Sequence, residues 1–136
     1  MKKILISTTL LLVLNSTLLA EDSAKALFSQ KCESCHMTTK PTQKQLTTIV
    51  APAIMGVMRH VKKEFSTQKD AVKFIVDYVL KPSREKSICM PKKLEKFGLM
   101  PSLKDSITKE ELQQVAEYLY ANFPPKNFRG MGRGRL

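Results

Sequence analysis

Cys32-Glu33-Ser34-Cys35-His36 is the stretch on which the reading of this sequence turns. Two thiols stand two residues apart, and an imidazole follows at once. Just before them, Ala24, Leu27 and Phe28 recur at helical spacing, which predicts a helix from Asp22 to about Lys31 with Asp22 as its cap. The stretch therefore leaves the end of a helix. Cys89 stands alone, so the three cysteines cannot all join a simple disulfide framework.

Outward from this point the pattern stays helical. Residues 37–50 are polar and read as a loop with one short turn near Leu46 to Val50. Ala51 to Val57 is a compact apolar run broken by Pro52 and Gly56. Thr67 to Leu80 predicts a helix: Val72, Ile75, Val76 and Val79 form its buried stripe, Ala71 and Phe74 widen it, and Ser66 or Thr67 caps it. Pro82, which lacks an amide hydrogen, stops it. Lys92 to Phe97 reads as a further short helix ended by Gly98. Thr108 to Phe123 carries the clearest signal, with Thr108 and Glu111 spaced as a capping box and Leu112, Val115, Ala116 and Leu119 along one face. No repeat and no alternating strand pattern is visible, so the expected fold is mostly α.

Residues 1–20 read as a signal peptide. Lys2 and Lys3 precede an aliphatic run, and Leu18, Leu19 and Ala20 lead to the first acids, Glu21 and Asp22. The run is short for a spanning helix and is diluted by Thr8, Thr9, Asn15, Ser16 and Thr17. Residues 21–125 then form one domain, and residues 126–136 a basic, Gly/Arg-rich, flexible tail with Arg129, Arg133 and Arg135. The expected location is the periplasm, as a soluble protein. The chain carries 23 Lys and Arg against 12 Asp and Glu, for a formal net charge of +11. Such a balance draws acidic partners. Export argues against nucleic acid, and leaves weak contact of the basic tail with an anionic membrane surface.

In an oxidising compartment a free Cys32–Cys35 pair would tend to close into a disulfide. His36 points to another fate. Thiols at this spacing can add to the two vinyl groups on one edge of a haem, and the next residue then presents an imidazole to the iron. Two alternatives stand beside this. A thioredoxin-like redox pair calls for a βαβ context, which this helical pattern lacks. A structural zinc site calls for a second ligand pair, and only Cys89 and His60 are left over, in separate segments.

The iron's second axial ligand decides what such a haem does. His60 is one candidate, although a lone histidine beside Arg59 reads more simply as a surface residue. Among the methionines, Met37 adjoins His36, Met131 lies in the tail, and Met55 and Met58 read as core. Met90 and Met100 remain, each followed by a proline in irregular chain.

The arrangement resembles class I cytochrome c over about residues 22–122. In that family the Cys-x-x-Cys-His motif follows an N-terminal helix, and a Met-Pro ligand loop shortly precedes the C-terminal one. Met100-Pro101-Ser102-Leu103 followed by Thr108-Lys109-Glu110-Glu111-Leu112 is similar to that loop and helix start. Tyr118 and Leu119 fall where the family's last helix packs on its first, here around Phe28. Ala51-Pro52, with Gly56 and Arg59 beyond, is similar to the family's Gly-Pro-x-Leu-x-Gly segment, with Ala51 in place of the first glycine.

The resemblance implies three to five helices wrapped around one covalently bound haem c. Cys32 and Cys35 would attach it, and His36 and Met100 would be the axial ligands, with Met90 the alternative. Pro52 would pack on the haem, and Arg59 would reach a propionate. The implied function is electron transfer by a protein that is not an enzyme. Lys31, Lys40, Lys44, Lys92, Lys93, Lys96 and Lys104 lie near the haem-binding segments in sequence and are expected to steer acidic redox partners to a monomer. The alternative function is a haem-based sensor or peroxidase-like protein with an open or labile sixth iron position.

Overall fold

The computed structural model describes residues 20–130. They form five α-helices and one 3-10 turn, with no strand among them: α1 over residues 20–31, the turn Gln45–Thr47, α2 Ile54–Glu64, α3 Gln68–Leu80, α4 Pro91–Phe97 and α5 Lys109–Asn122. The mostly α expectation is met. The expected signal peptide, apart from Ala20, lies outside the described residues, as does the tail beyond Gly130 with Met131, Arg133 and Arg135. Among the described residues no helix is long and apolar enough to cross a membrane.

Local chemistry accounts for most boundaries. The Thr67 hydroxyl accepts from the Asp70 amide at 3.1 Å and so caps α3. Both halves of the α5 capping box form: the Thr108 hydroxyl accepts from the Glu111 amide at 3.1 Å, and the Glu111 carboxylate accepts from the Thr108 amide at 2.9 Å. Pro91 opens α4 where no amide hydrogen is needed, and Gly98 closes it at φ +73°.

Two readings are corrected. Asp22 does not cap α1, because the helix already includes residues 20–22. The run read as a broken segment from Ala51 to Val57 continues as α2 to Glu64. Gly56 inside a helix costs about 1 kcal/mol relative to alanine. Burial of Ile54, Met55, Met58 and Val61 on one face outweighs that cost, since each fully buried large apolar side chain contributes about 1.5–3 kcal/mol.

α5 packs mainly on α3 and also on α2. Leu112, Val115, Ala116 and Leu119 bury its inner face, and Ala71, Val72, Ile75 and Val76 bury that of α3. The small, fully buried Ala71 and Ala116 suit a close approach of these two helices. Lys62 of α2 stands over the Tyr120 ring of α5 at 4.8 Å, and Phe65 stacks on Phe74 at 4.8 Å between α2 and α3. Phe28 docks α1: its ring lies 6.2 Å from those of Tyr118 and Phe123. The expected packing of Tyr118 around Phe28 is present, and it fixes where the Cys-x-x-Cys-His stretch leaves α1.

Candidate functional site

Beyond Lys31 the chain keeps turning. The Cys32 amide donates to the Phe28 carbonyl at 2.9 Å, and the His36 amide donates to the Cys32 carbonyl at 2.9 Å. The Glu33 carboxylate accepts from Ser29 of α1 at 2.6 Å and from Thr38 beyond the motif at 3.2 Å, so it braces both sides of the turn. Ser29, Glu33 and Thr38 support the turn, and the motif pattern does not mark them. The four-residue spacing of Ser29 and Glu33 at a helix end was their only signal in the sequence.

Cys32 is half-buried against the core, Cys35 is exposed, and neither is in a disulfide. Burial, with a smaller push from Cys35, raises the Cys32 thiol to about 11. The end of α1 also presents the negative pole of the helix, which disfavours a thiolate. Redox-active thiols sit instead where the thiolate is stabilised, so this environment opposes the thioredoxin-like alternative. Among the described residues no three His, Cys, Asp or Glu side chains converge as a metal site.

His36 is the best-oriented group of the stretch. Its Nδ1 lies 2.8 Å from the Pro52 carbonyl oxygen. A carbonyl only accepts, so Nδ1 carries the hydrogen and Nε2 keeps its lone pair. Burial lowers the pKa of the ring, and the bond to Pro52 partly opposes this. The outcome is a neutral imidazole with one nitrogen tied to the backbone and the other free to ligate a metal. A second bond, from the Ile54 amide to the Met37 carbonyl at 2.9 Å, holds the start of α2 to the same turn. The structure thus brings Cys32, Cys35, His36 and Pro52 into one unit.

The other candidates stand on α2 and on either side of α4. Met55 and Met58 are buried in α2. His60 is half-buried on the same helix, and Arg59 is exposed with its guanidinium against Gly130. Met90 is the N-cap residue of α4 and is 51% exposed, whereas Met100 is half-buried in the loop after α4.

An uncharacterized protein of Aquifex aeolicus (strain VF5) is 31% identical over 109 residues, covering 71% of this chain and 71% of that protein. The chain belongs to that protein's family. The kinship spans most of both members and carries no chemistry with it. No family model matches the chain, and no solved structure matches it.

This family member leaves apolar side chains partly uncovered on the 3-10 turn and around α4. The 3-10 turn and α4 bury no residue. Leu46, Leu94, Phe97 and Met100 are only partly covered, while Val50 is 63% and Leu99 38% exposed. Lys96 Nζ donates to the Leu46 carbonyl at 3.0 Å and draws the two segments together. The donor set, two unpaired thiols and an oriented imidazole, fits a covalently held haem. An open groove of about 840 Å³ between α3 and α5, floored by Val72, Val76 and Leu80, contains none of these residues and is not that site.

Proposed function

We propose that this protein is a periplasmic c-type cytochrome that carries one electron on a single covalently bound haem with His/Met axial ligation. The observation that carries the proposal is the bond between His36 Nδ1 and the Pro52 carbonyl at 2.8 Å, directly after two free thiols. It fixes the plane of the ring and would leave Nε2 as the atom that holds the iron. Cys32 and Cys35 would hold the haem as thioethers, and Met100 would take the opposite axial position.

When bound, the haem supplies one-electron chemistry at its iron. The chain's own work is to attach, orient and shield it. A thioether opposite an imidazole raises the reduction potential compared with two nitrogen ligands. Apolar side chains such as Leu94 and Phe97 would exclude water from the ring and disfavour added positive charge. The cationic surface would speed encounter with an acidic redox partner, and no substrate bond is made or broken.

The test is direct. Protein matured in a host that attaches haem should keep a haem stain after boiling in denaturant, and its mass should exceed that of the processed polypeptide by one haem. Cys32→Ala with Cys35→Ala should abolish both signals. A colourless wild-type product with the bare polypeptide mass overturns the proposal.

A further inference from the structure

We infer that Ser102 is a positioning residue that holds Met100 in place as the iron's second axial ligand; the inference rests on the haem reading above. The observation behind it is a pair of hydrogen bonds. Ser102 Oγ donates to the Leu80 carbonyl at 2.6 Å, and the Leu103 amide donates to the Val79 carbonyl at 3.1 Å.

Both acceptors belong to the last turn of α3, whose carbonyls have no amide partner within the helix. The loop after α4 therefore completes the end of α3 and is pinned by it. Pro101 separates Met100 from Ser102 and fixes the backbone angle between them. Two residues of extended chain span about 7 Å at most, so Met100 has little freedom relative to the Ser102 anchor.

Among the described residues, no hydrogen bond within two residues of Met90, the competing Met-Pro residue, reaches another element; the nearest polar tie is the Lys86–Asp77 ion pair at 2.7 Å, four residues before it. The hydrogen bonds around it are local: the Cys89 amide donates to Ser87 Oγ at 3.3 Å, and the Lys93 amide donates to the Met90 carbonyl at 2.8 Å. Met90 caps a helix that buries no residue, and its side chain is half in solvent. The two methionines thus differ in how firmly the backbone aims them. Ser102 is the side chain that makes the difference, because the Leu103 contribution is main-chain and survives substitution.

The experiment uses the haem-loaded protein as wild type, Ser102→Ala, Ser102→Thr, Met100→Ala and Met90→Ala. Imidazole is titrated into each oxidised protein, and the long-wavelength band of Met–Fe(III) ligation is followed as the methionine is displaced. Global unfolding in urea is measured in parallel. A hydrogen bond of ordinary net strength corresponds to a shift of about two- to tenfold in a local opening equilibrium. Ser102→Ala should therefore bind imidazole tighter by about that factor, and Ser102→Thr, which keeps the hydroxyl, should return to the wild-type value.

A lowered urea midpoint with unchanged imidazole affinity would make Ser102 a structural residue only and overturn the inference. Survival of the band in Met100→Ala would overturn it as well, while leaving the haem reading intact. A wild-type protein without haem would overturn the haem reading itself, and this inference with it.

Discussion

Phe28→Ala is the substitution that weighs most on whether α1 is docked as described. Phe28 is 2% exposed, and its ring meets those of Tyr118 and Phe123 at 6.2 Å each. Removing a fully buried phenylalanine costs about 3–5 kcal/mol, because the lost transfer energy is joined by an unfilled cavity. A domain of this size is stable by only about 5–15 kcal/mol. The change should therefore lower the melting temperature by roughly 15 to 25 °C. Phe28→Leu keeps most of the volume and should cost about 1–2 kcal/mol. The assay is urea unfolding of the haem-loaded protein followed by far-ultraviolet circular dichroism, with the slope unchanged and the midpoint shifted. A loss below about 1 kcal/mol for Phe28→Ala, where a buried aromatic demands several, would mean that α1 is not held by this ring and that the motif is not positioned from it.

Four further outcomes follow from the same structure. Thr108→Ala should destabilise by about 1 kcal/mol through loss of the α5 cap, and Thr108→Ser should not. Bonds from the Thr108 amide and hydroxyl hold the Glu111 carboxyl below its usual range. Its contribution is therefore full above the ordinary carboxylate pKa and fades as pH falls through the depressed folded value. Unfolding midpoints of wild type and Glu111→Ala should accordingly differ near neutrality and converge in acid. Met100→Ala should abolish the long-wavelength Met–Fe(III) band while Met90→Ala keeps it; the reverse pattern would move the ligand to Met90, and a wild type without the band would favour the sensor or peroxidase-like alternative. Electron-transfer rates with an acidic partner should fall about tenfold or more between about 10 mM and 500 mM salt, and a flat profile would count against lysine steering.

How much of this was legible beforehand depended on whether the signal was local. The caps at Thr67 and Thr108, the stop at Gly98 and the helical stripes of α3 and α5 are short-range patterns, and each appears where its residues stand. α2 is hidden in the sequence because Pro52 and Gly56 are strong local punctuators. The stripe of Ile54, Met58 and Val61 was present in the sequence, but only burial against α5 and the rest of the core gives it weight over the glycine. At the site, the spacing of Cys32, Cys35 and His36 could be read directly. The brace of Ser29, Glu33 and Thr38 could not, since polar residues at a helix end fit many roles.

The sequence by itself determined the helical class, most helix ends and the chemistry available at Cys32, Cys35 and His36, because these rest on neighbours within a few residues. Only the tertiary structure decided which nitrogen of His36 stays free, through a carbonyl sixteen positions away at Pro52. It alone tied the Met100 loop to the end of α3 and left Met90 at the cap of a helix that buries no residue. The physical reason is that a hydrogen bond between distant segments depends on where packing puts their backbones, and no local pattern records that position.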